Sequence, residues 1–275
     1  MEKKFSIALC YSSYSGNTRL VCQKIADYLA PISIEFYDMH SRPPINPLSY
    51  DLFGFASSVE FFGLPSKTIQ WIRSIPEISE KKYAFIFLSY GGNPGTALIQ
   101  LKDLVQSRNF RVIAGHALHC PESYPLLRVR GFKNANAPGE KKFRRFLMFL
   151  YILKDLIQSA SEGKEILEAR FRLGLMNYFF NIPDPLAARR TMGFKYLDEK
   201  ACTLCKRCAL ECPFQAIIMD PYPIFNEEIC TGCWKCYNRC PTQAIYTRNL
   251  HGAGHYPEPS TLFKKKFDRL VKNNE

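Results

Sequence analysis

Of the eleven cysteines in this 275-residue chain, eight fall in one short repeat, and their spacing names a chemistry. Residues 202–217 read CTLCKRCALECPFQAI and residues 230–245 read CTGCWKCYNRCPTQAI; nine of the sixteen positions are identical, including four cysteines and the proline after the last. Each copy is Cys-x2-Cys-x2-Cys-x3-Cys-Pro. Three thiolates spaced by two residues reach three irons of one [4Fe–4S] cube from a single loop. The fourth, beside a proline that redirects the chain, points away to another cube. A zinc site pairs two Cys-x2-Cys knuckles across a longer gap and does not repeat the third cysteine and the Cys-Pro. A disulfide framework belongs to a secreted chain, whereas MEKKFSIALCYSS offers a short apolar stretch that reads as a strand.

Over about residues 196–250 the repeat resembles the bacterial-type two-[4Fe–4S] ferredoxins. The resemblance implies two clusters with crossed ligands: Cys202, Cys205, Cys208 and Cys240 on one, Cys230, Cys233, Cys236 and Cys212 on the other. Lys206, Arg207 and Lys235 lie inside the loops and are expected to favour the reduced, more negative clusters. Cys10, Cys22 and Cys120 remain, an odd number that predicts reduced thiols in the cytoplasm and reads as small buried hydrophobes. His116, His119, His251 and His255 have no ligand-like spacing and are assigned no metal.

Positioning these loops needs little chain, and the residues before them can bury a core of their own. Strand-like runs at Phe5–Tyr11, Ile32–Tyr37, Asp51–Ser57, Tyr83–Ser89 and Arg111–Leu118 alternate with helical periodicity at Thr18–Leu29, Ser66–Ile75, Thr96–Arg108 and about 140–160. That order predicts an α/β fold, a doubly wound five-stranded parallel sheet, followed by a small α+β unit. Ligands of such sheets bind at the carboxyl ends of the strands, where strand order reverses. After the first strand comes Ser12-Ser13-Tyr14-Ser15-Gly16-Asn17-Thr18, hydroxyls and a glycine leading into a helix. This makes a phosphate cradle that needs no lysine, and equally an ordinary helix cap. It is neither a Walker A loop nor GxGxxG.

Ser13 to Thr18 resembles the flavodoxin phosphate loop, (T/S)-x-(T/S)-G-x-T. The resemblance implies a flavodoxin-like domain that binds FMN, with Ser13, Ser15, Asn17 and Thr18 around the phosphate. Glu60-Phe61-Phe62-Gly63-Leu64-Pro65 and Ser89-Tyr90-Gly91-Gly92-Asn93-Pro94-Gly95 occupy the places of the two loops that flank the flavin ring. Phe61, Phe62 and Tyr90 can pack on the ring, while Gly91 and Gly92 let the backbone approach its polar edge. Neither loop carries the tryptophan common in small flavodoxins.

The whole chain therefore resembles the flavodoxin–ferredoxin fusion family. The expected plan is a flavodoxin-like domain over 1–172, a connector over 173–195, the two-cluster unit over 196–250 and an irregular basic tail over 251–275. The formal charge of +12 falls once two clusters and a flavin phosphate are counted, yet stays positive and concentrated in 128–145 and 264–272. A redox partner protein with an acidic docking surface suits that distribution, with no nucleic acid and no membrane span. The function expected is electron transfer between FMN and two [4Fe–4S] clusters. Two alternatives stay open: an FMN-dependent reductase of a small substrate, for which Glu60, Glu122 and tyrosines are the candidate acids or bases, and a flavin-free docking module.

Overall fold

Continuous apolar runs such as IALCY and AFIFL belong to strands covered on both faces, and that is where they lie. The computed structural model describes residues 5–171 and 187–268. Strands β1 (Ser6–Ser12), β2 (Ser33–Asp38), β3 (Leu52–Ser58), β4 (Lys82–Tyr90) and β5 (Phe110–His119) form one parallel sheet in the order β2-β1-β3-β4-β5. This is the flavodoxin-like order, and it reverses at β1 and β3. Helices α1 (Asn17–Leu29) and α5 (Glu140–Ser161) cover one face through Leu9, Phe85, Phe87, Phe146 and Leu150. Helices α2 (Ser66–Arg73) and α3 (Ala97–Gln106) cover the other through Phe53, Phe55, Ile86 and Leu101. A short α4 (Pro125–Val129), not anticipated from the sequence, follows β5. Among the described residues no helix is long and apolar enough to cross a membrane.

Of the expected connector, 173–186 lies outside the described residues. The chain resumes with α6 (Ala187–Met192), β6 (Lys195–Leu197), α7 (Arg207–Leu210), β7 (Ile217–Asp220), β8 (Tyr222–Phe225), α8 (Lys235–Arg239) and β9 (Ile245–Thr247). Strands β6 and β9 pair antiparallel, as do β7 and β8. The duplication is written into the backbone. Leu204, Lys206 and Gln215 have φ of 54°, 60° and 53°, and their counterparts Gly232, Trp234 and Gln243 have 76°, 60° and 58°.

The last segment differs from the irregular tail expected. It forms α9 (Thr261–Lys266), capped by Ser260 Oγ accepting from the Phe263 N–H at 3.2 Å. Phe263 and Phe267 are fully buried in the core beneath α5, where the Phe267 ring lies 5.8 Å from Phe143 and 6.0 Å from Phe146. Lysines 264–266 dominate the composition there, whereas the packing rests on two phenylalanines four residues apart, one helical turn.

Candidate functional site

Each cysteine set expected from the repeat rings its own small void. Cys202, Cys205, Cys208 and Cys240 line one, with Leu197, Pro223, Ala244 and Ile245. Cys212, Cys230, Cys233 and Cys236 line the other, with Lys195, Phe225, Ala216 and Ile217. The fourth cysteine of each copy thus stands with the three of the other. Cys212 Sγ accepts from Ala216 N–H and Cys240 Sγ from Ala244 N–H, both at 3.3 Å, a matched pair of donors that suits thiolate ligands. Among the described residues no group of three or more His, Cys, Asp or Glu side chains is gathered as a single-ion site. Thiolates spread around a void suit a polynuclear cluster, in which each binds a different iron.

Of the cations inside the loops, Lys206 and Arg207 line the first void and Lys235 lines the second. Arg207 and Arg239 each lie 2.8 Å from the Glu211 carboxylate and Lys235 lies 4.0 Å from it, while Lys206 is exposed. The cation aimed at a ligand sulfur is Lys195, outside the repeat, with Nζ 3.0 Å from Cys230 Sγ.

At the carboxyl ends of the strands lies a cavity of about 310 Å³, within the range of small-molecule sites. Its wall includes Tyr14, Ser15, Phe61, Phe62, Tyr90, Gly91 and Gly92 from the loops after β1, β3 and β4, as the strand-end argument requires. It also includes Glu60, Glu122 and Tyr124, and, from the cysteine unit, Cys233 and Trp234. The tryptophan missing from the ring loops is supplied by the cluster loop. Tyr14 Oη, Ser58 Oγ and Trp234 Nε1 are buried without a hydrogen-bond partner, and all three residues line this cavity. Each orphan costs about 1–3 kcal/mol, which a polar ligand would offset. Aromatic walls, backbone-accessible glycines and unpaired polar atoms fit a flat polar ring such as a flavin.

The remaining site residues read from the sequence stand apart from that wall. Gly63 closes the turn after β3, exchanging two 3.0 Å hydrogen bonds with Glu60. Ser13 Oγ accepts from the N–H groups of Gly16 and Arg19, the capping role. Thr18 Oγ1 lies 2.8 Å from Ser89 Oγ, and Asn17 Nδ2 donates to Pro121 O at 2.9 Å. Asn17 Oδ1 accepts from Tyr256 Oη at 2.7 Å, and a Cβ on Gly16 would stand 2.9 Å from Pro259. What the loop keeps for an anion is Ser15 and the N–H groups of Asn17 and Thr18 at the start of α1, which have no intrahelical acceptor. The segment after the cysteine unit therefore passes directly over the loop. Further bonds hold it there: Arg128 Nε donates to Gly254 O and the Tyr256 N–H to Asn238 Oδ1, both at 3.0 Å, while Asn238 Nδ2 donates to Ser123 O at 3.0 Å.

Phe61 and Phe62 carry φ of 44° and 68° at the two central positions of the turn, places that favour Asn-Gly. Left-handed backbone costs a non-glycine residue about 1–2 kcal/mol, and such strain collects at functional sites. Replacing Phe61-Phe62 by Asn-Gly is expected to raise the thermal midpoint of the flavin-free protein and to weaken flavin binding at least tenfold, measured by thermal melts and fluorescence titration.

Burial pushes the Glu60 carboxyl up to about 7 and also raises Glu122, which accepts from Ser123 and Tyr124 N–H at 2.8 and 2.9 Å. A Cβ on Gly91 would lie 2.5 Å from Glu122 Oε2, so a larger residue there would have to displace the Glu122 carboxylate. A raised acid is penalised when ionised: Glu60 weakens the fold as pH rises from about 4.5 through 7, and costs nothing below that window. Glu60→Gln is therefore expected to stabilise the flavin-free chain at pH 8 and to leave it unchanged at pH 4, read as denaturation midpoints. Burial also pushes the thiols of Cys10, Cys22 and Cys120 far up, which agrees with inert core cysteines.

Residues 201–250 match the family described as a 4Fe-4S dicluster domain. No curated protein matches the chain. Among solved structures, oxidised flavodoxin 1 from Bacillus cereus is 19% identical, covering 58% of this chain and 99% of its own, at a TM-score of 0.40. A flavodoxin from the domain Archaea is 12% identical over 56% of this chain and 99% of its own, at 0.38. The rubredoxin oxygen:oxidoreductase of Desulfovibrio gigas is 12% identical over 58% of this chain and 38% of its own, at 0.40. The assignment of the first half to the flavodoxin-like fold rests on its strand order.

Proposed function

We propose, for a chain that joins a flavodoxin-like sheet to a 4Fe–4S dicluster domain, that it passes electrons between FMN at the strand ends and two [4Fe–4S] clusters, linking a redox donor to an acceptor. One observation carries this reading. Cys233 and Trp234 stand in the wall of the strand-end cavity and also in the wall of the void ringed by Cys212, Cys230, Cys233 and Cys236. A ligand of one cluster thus borders the flavin site with no intervening layer of protein.

When bound, FMN exchanges two electrons in single steps and each cluster exchanges one. The protein's own residues hold and shield. Phe61, Phe62, Tyr90 and Trp234 supply apolar walls, Gly91 and Gly92 admit the ring's polar edge, and the N-terminus of α1 with Ser15 receives the phosphate. Tyr124 and Leu127 complete the wall and exclude water. Cys202, Cys205, Cys208 and Cys240 hold the outer cluster, and the exposed loop Thr203–Lys206 brings it to the surface. Lys142 Nζ lies 5.4 Å from the Tyr90 ring, so the basic N-terminal end of α5 borders the flavin end and suits an acidic partner protein.

Anaerobic purification with iron, sulfide and flavin measured on one sample tests the reading. About eight iron and one FMN per chain support it; one or two zinc with no iron, or iron without flavin, contradict it. The reductase alternative is favoured by one observation, the Glu60 carboxyl held near 7 at the cavity wall, where it can give or take a proton. Turnover of a small acceptor with a generic reductant and no partner protein would decide for it.

A further inference from the structure

The two halves of the cysteine unit are near copies, so a charge present at only one of them breaks their equivalence. The copies are offset by 28 residues. Under that offset Leu197 corresponds to Phe225, Ala216 to Ala244 and Ile217 to Ile245, and each pair lines corresponding sides of the two voids. The same offset takes Lys195 to Pro223, again at corresponding places. One site therefore has a lysine where the other has a proline.

Lys195 is held for this role by its surroundings. Its side chain is 1% exposed, with Nζ 3.0 Å from Cys230 Sγ, 3.8 Å from Glu227 Oε1 and 4.7 Å from the centre of the Trp234 ring. Its backbone N–H donates to Glu227 Oε1 at 3.0 Å, fixing the strand that carries it. A buried ammonium is tolerated only when paired, and here the nearest partner is the sulfur, not the carboxylate. Of the other cations near the repeat, Arg207, Lys235 and Arg239 share Glu211, and Lys206, which lines the other void where Trp234 lines this one, is exposed and screened by solvent, unlike the buried Lys195.

We propose that Lys195 makes the cluster held by Cys212, Cys230, Cys233 and Cys236 the more easily reduced of the two, so that a single electron on the iron–sulfur unit rests at the flavin end. This rests on the two-cluster reading above. Reduction adds one negative charge to a cluster, and a buried cation touching its ligand stabilises that charge more than the oxidised state. Hydrogen bonds to ligand sulfur act in the same direction. Glu227 offsets part of the effect but stands further from Nζ than the sulfur does. In the step so biased, the outer cluster is oxidised by one electron and the flavin-side cluster reduced by one; no bond or proton changes place.

The test is an anaerobic redox titration of the full chain followed by electron paramagnetic resonance. In Lys195→Met the more positive of the two cluster couples is expected to fall by at least tenfold in its reduction equilibrium, about 59 mV for one electron, while the other stays in place. Pro223→Lys is expected to raise the other couple, and it decides the matter if Lys195→Met fails to retain iron. Unmoved couples in an iron-replete Lys195→Met protein, equal movement of both, or a Pro223→Lys protein with both couples in place would overturn the proposal. A wild-type chain with one couple, or with no iron, contradicts the two-cluster reading instead.

Discussion

Cys212→Ser is expected to remove the same cluster as Cys230→Ser, and Cys240→Ser the same cluster as Cys202→Ser, although each of these pairs joins residues from different copies of the repeat. Iron is expected to fall from about eight to about four per chain in all four variants, while the spectra sort them into crossed pairs. The reason is in the backbone. The proline after each fourth cysteine turns the chain, and the matched left-handed residues of each loop aim that cysteine across the unit, so Cys212 stands with Cys230, Cys233 and Cys236. Electron paramagnetic resonance and Mössbauer spectra of the four variants check this. If Cys212→Ser and Cys202→Ser lose the same signal, each copy holds its own cluster and the crossed assignment fails. The variants are expected to differ further in consequence: Cys230→Ser should take away the cluster bordering the strand-end cavity, whereas Cys202→Ser should leave it.

Phe267→Ala lowers the stability of the sheet domain by about 3–5 kcal/mol, although the residue lies beyond the cysteine unit in the chain. The ring is fully buried among Phe143, Phe146 and Phe263, so truncation leaves a cavity that rigid aromatic neighbours cannot close. Against a domain stability of about 5–15 kcal/mol, that loss is large. Lys265→Ala, on the exposed side of the same helix, should stay within about 0.5 kcal/mol. Urea denaturation followed by tyrosine and tryptophan fluorescence checks the pair. A change below about 1 kcal/mol for Phe267→Ala would show that α9 is an appendage and not part of the core.

These two predictions mark where the sequence could be read and where it could not. The repeated cysteine motif was legible because metal ligation depends on short, local spacing, and the crossed sets, which the resemblance implies, each ring one void. The five strands were legible to within a residue at each end, the central ones because a parallel sheet buried on both faces demands continuous apolar runs; the edge strand β2, SIEFYD, is only partly covered. The ring loops followed from those strands, and Tyr14, Ser15, Phe61, Phe62, Tyr90, Gly91 and Gly92 do meet in one wall. Contributions from distant segments were not legible. Phe263 and Phe267 hide among lysines, and only a helix seated on α5 reveals their common face. Trp234 sits inside a cysteine loop and gains its second role only when that loop meets the flavin cavity. Lys195 carries no motif; comparing it with Pro223 across the duplication would have flagged it. In the phosphate loop, capping and cradling use the same residues, so the sequence leaves both roles open for Ser13, whose Oγ accepts from the Gly16 and Arg19 N–H groups.

The adjacency of the strand-end cavity and the Cys233 loop is the centre of the account, and an electron's passage between them is its most direct test. Pulse reduction of the flavin in the anaerobic holoprotein, with cluster bleaching followed in time, should show clusters reduced at a first-order rate unchanged by tenfold dilution. A rate that scales with protein concentration, or a reduced flavin that leaves the clusters oxidised when their potentials allow reduction, would contradict a relay within one chain.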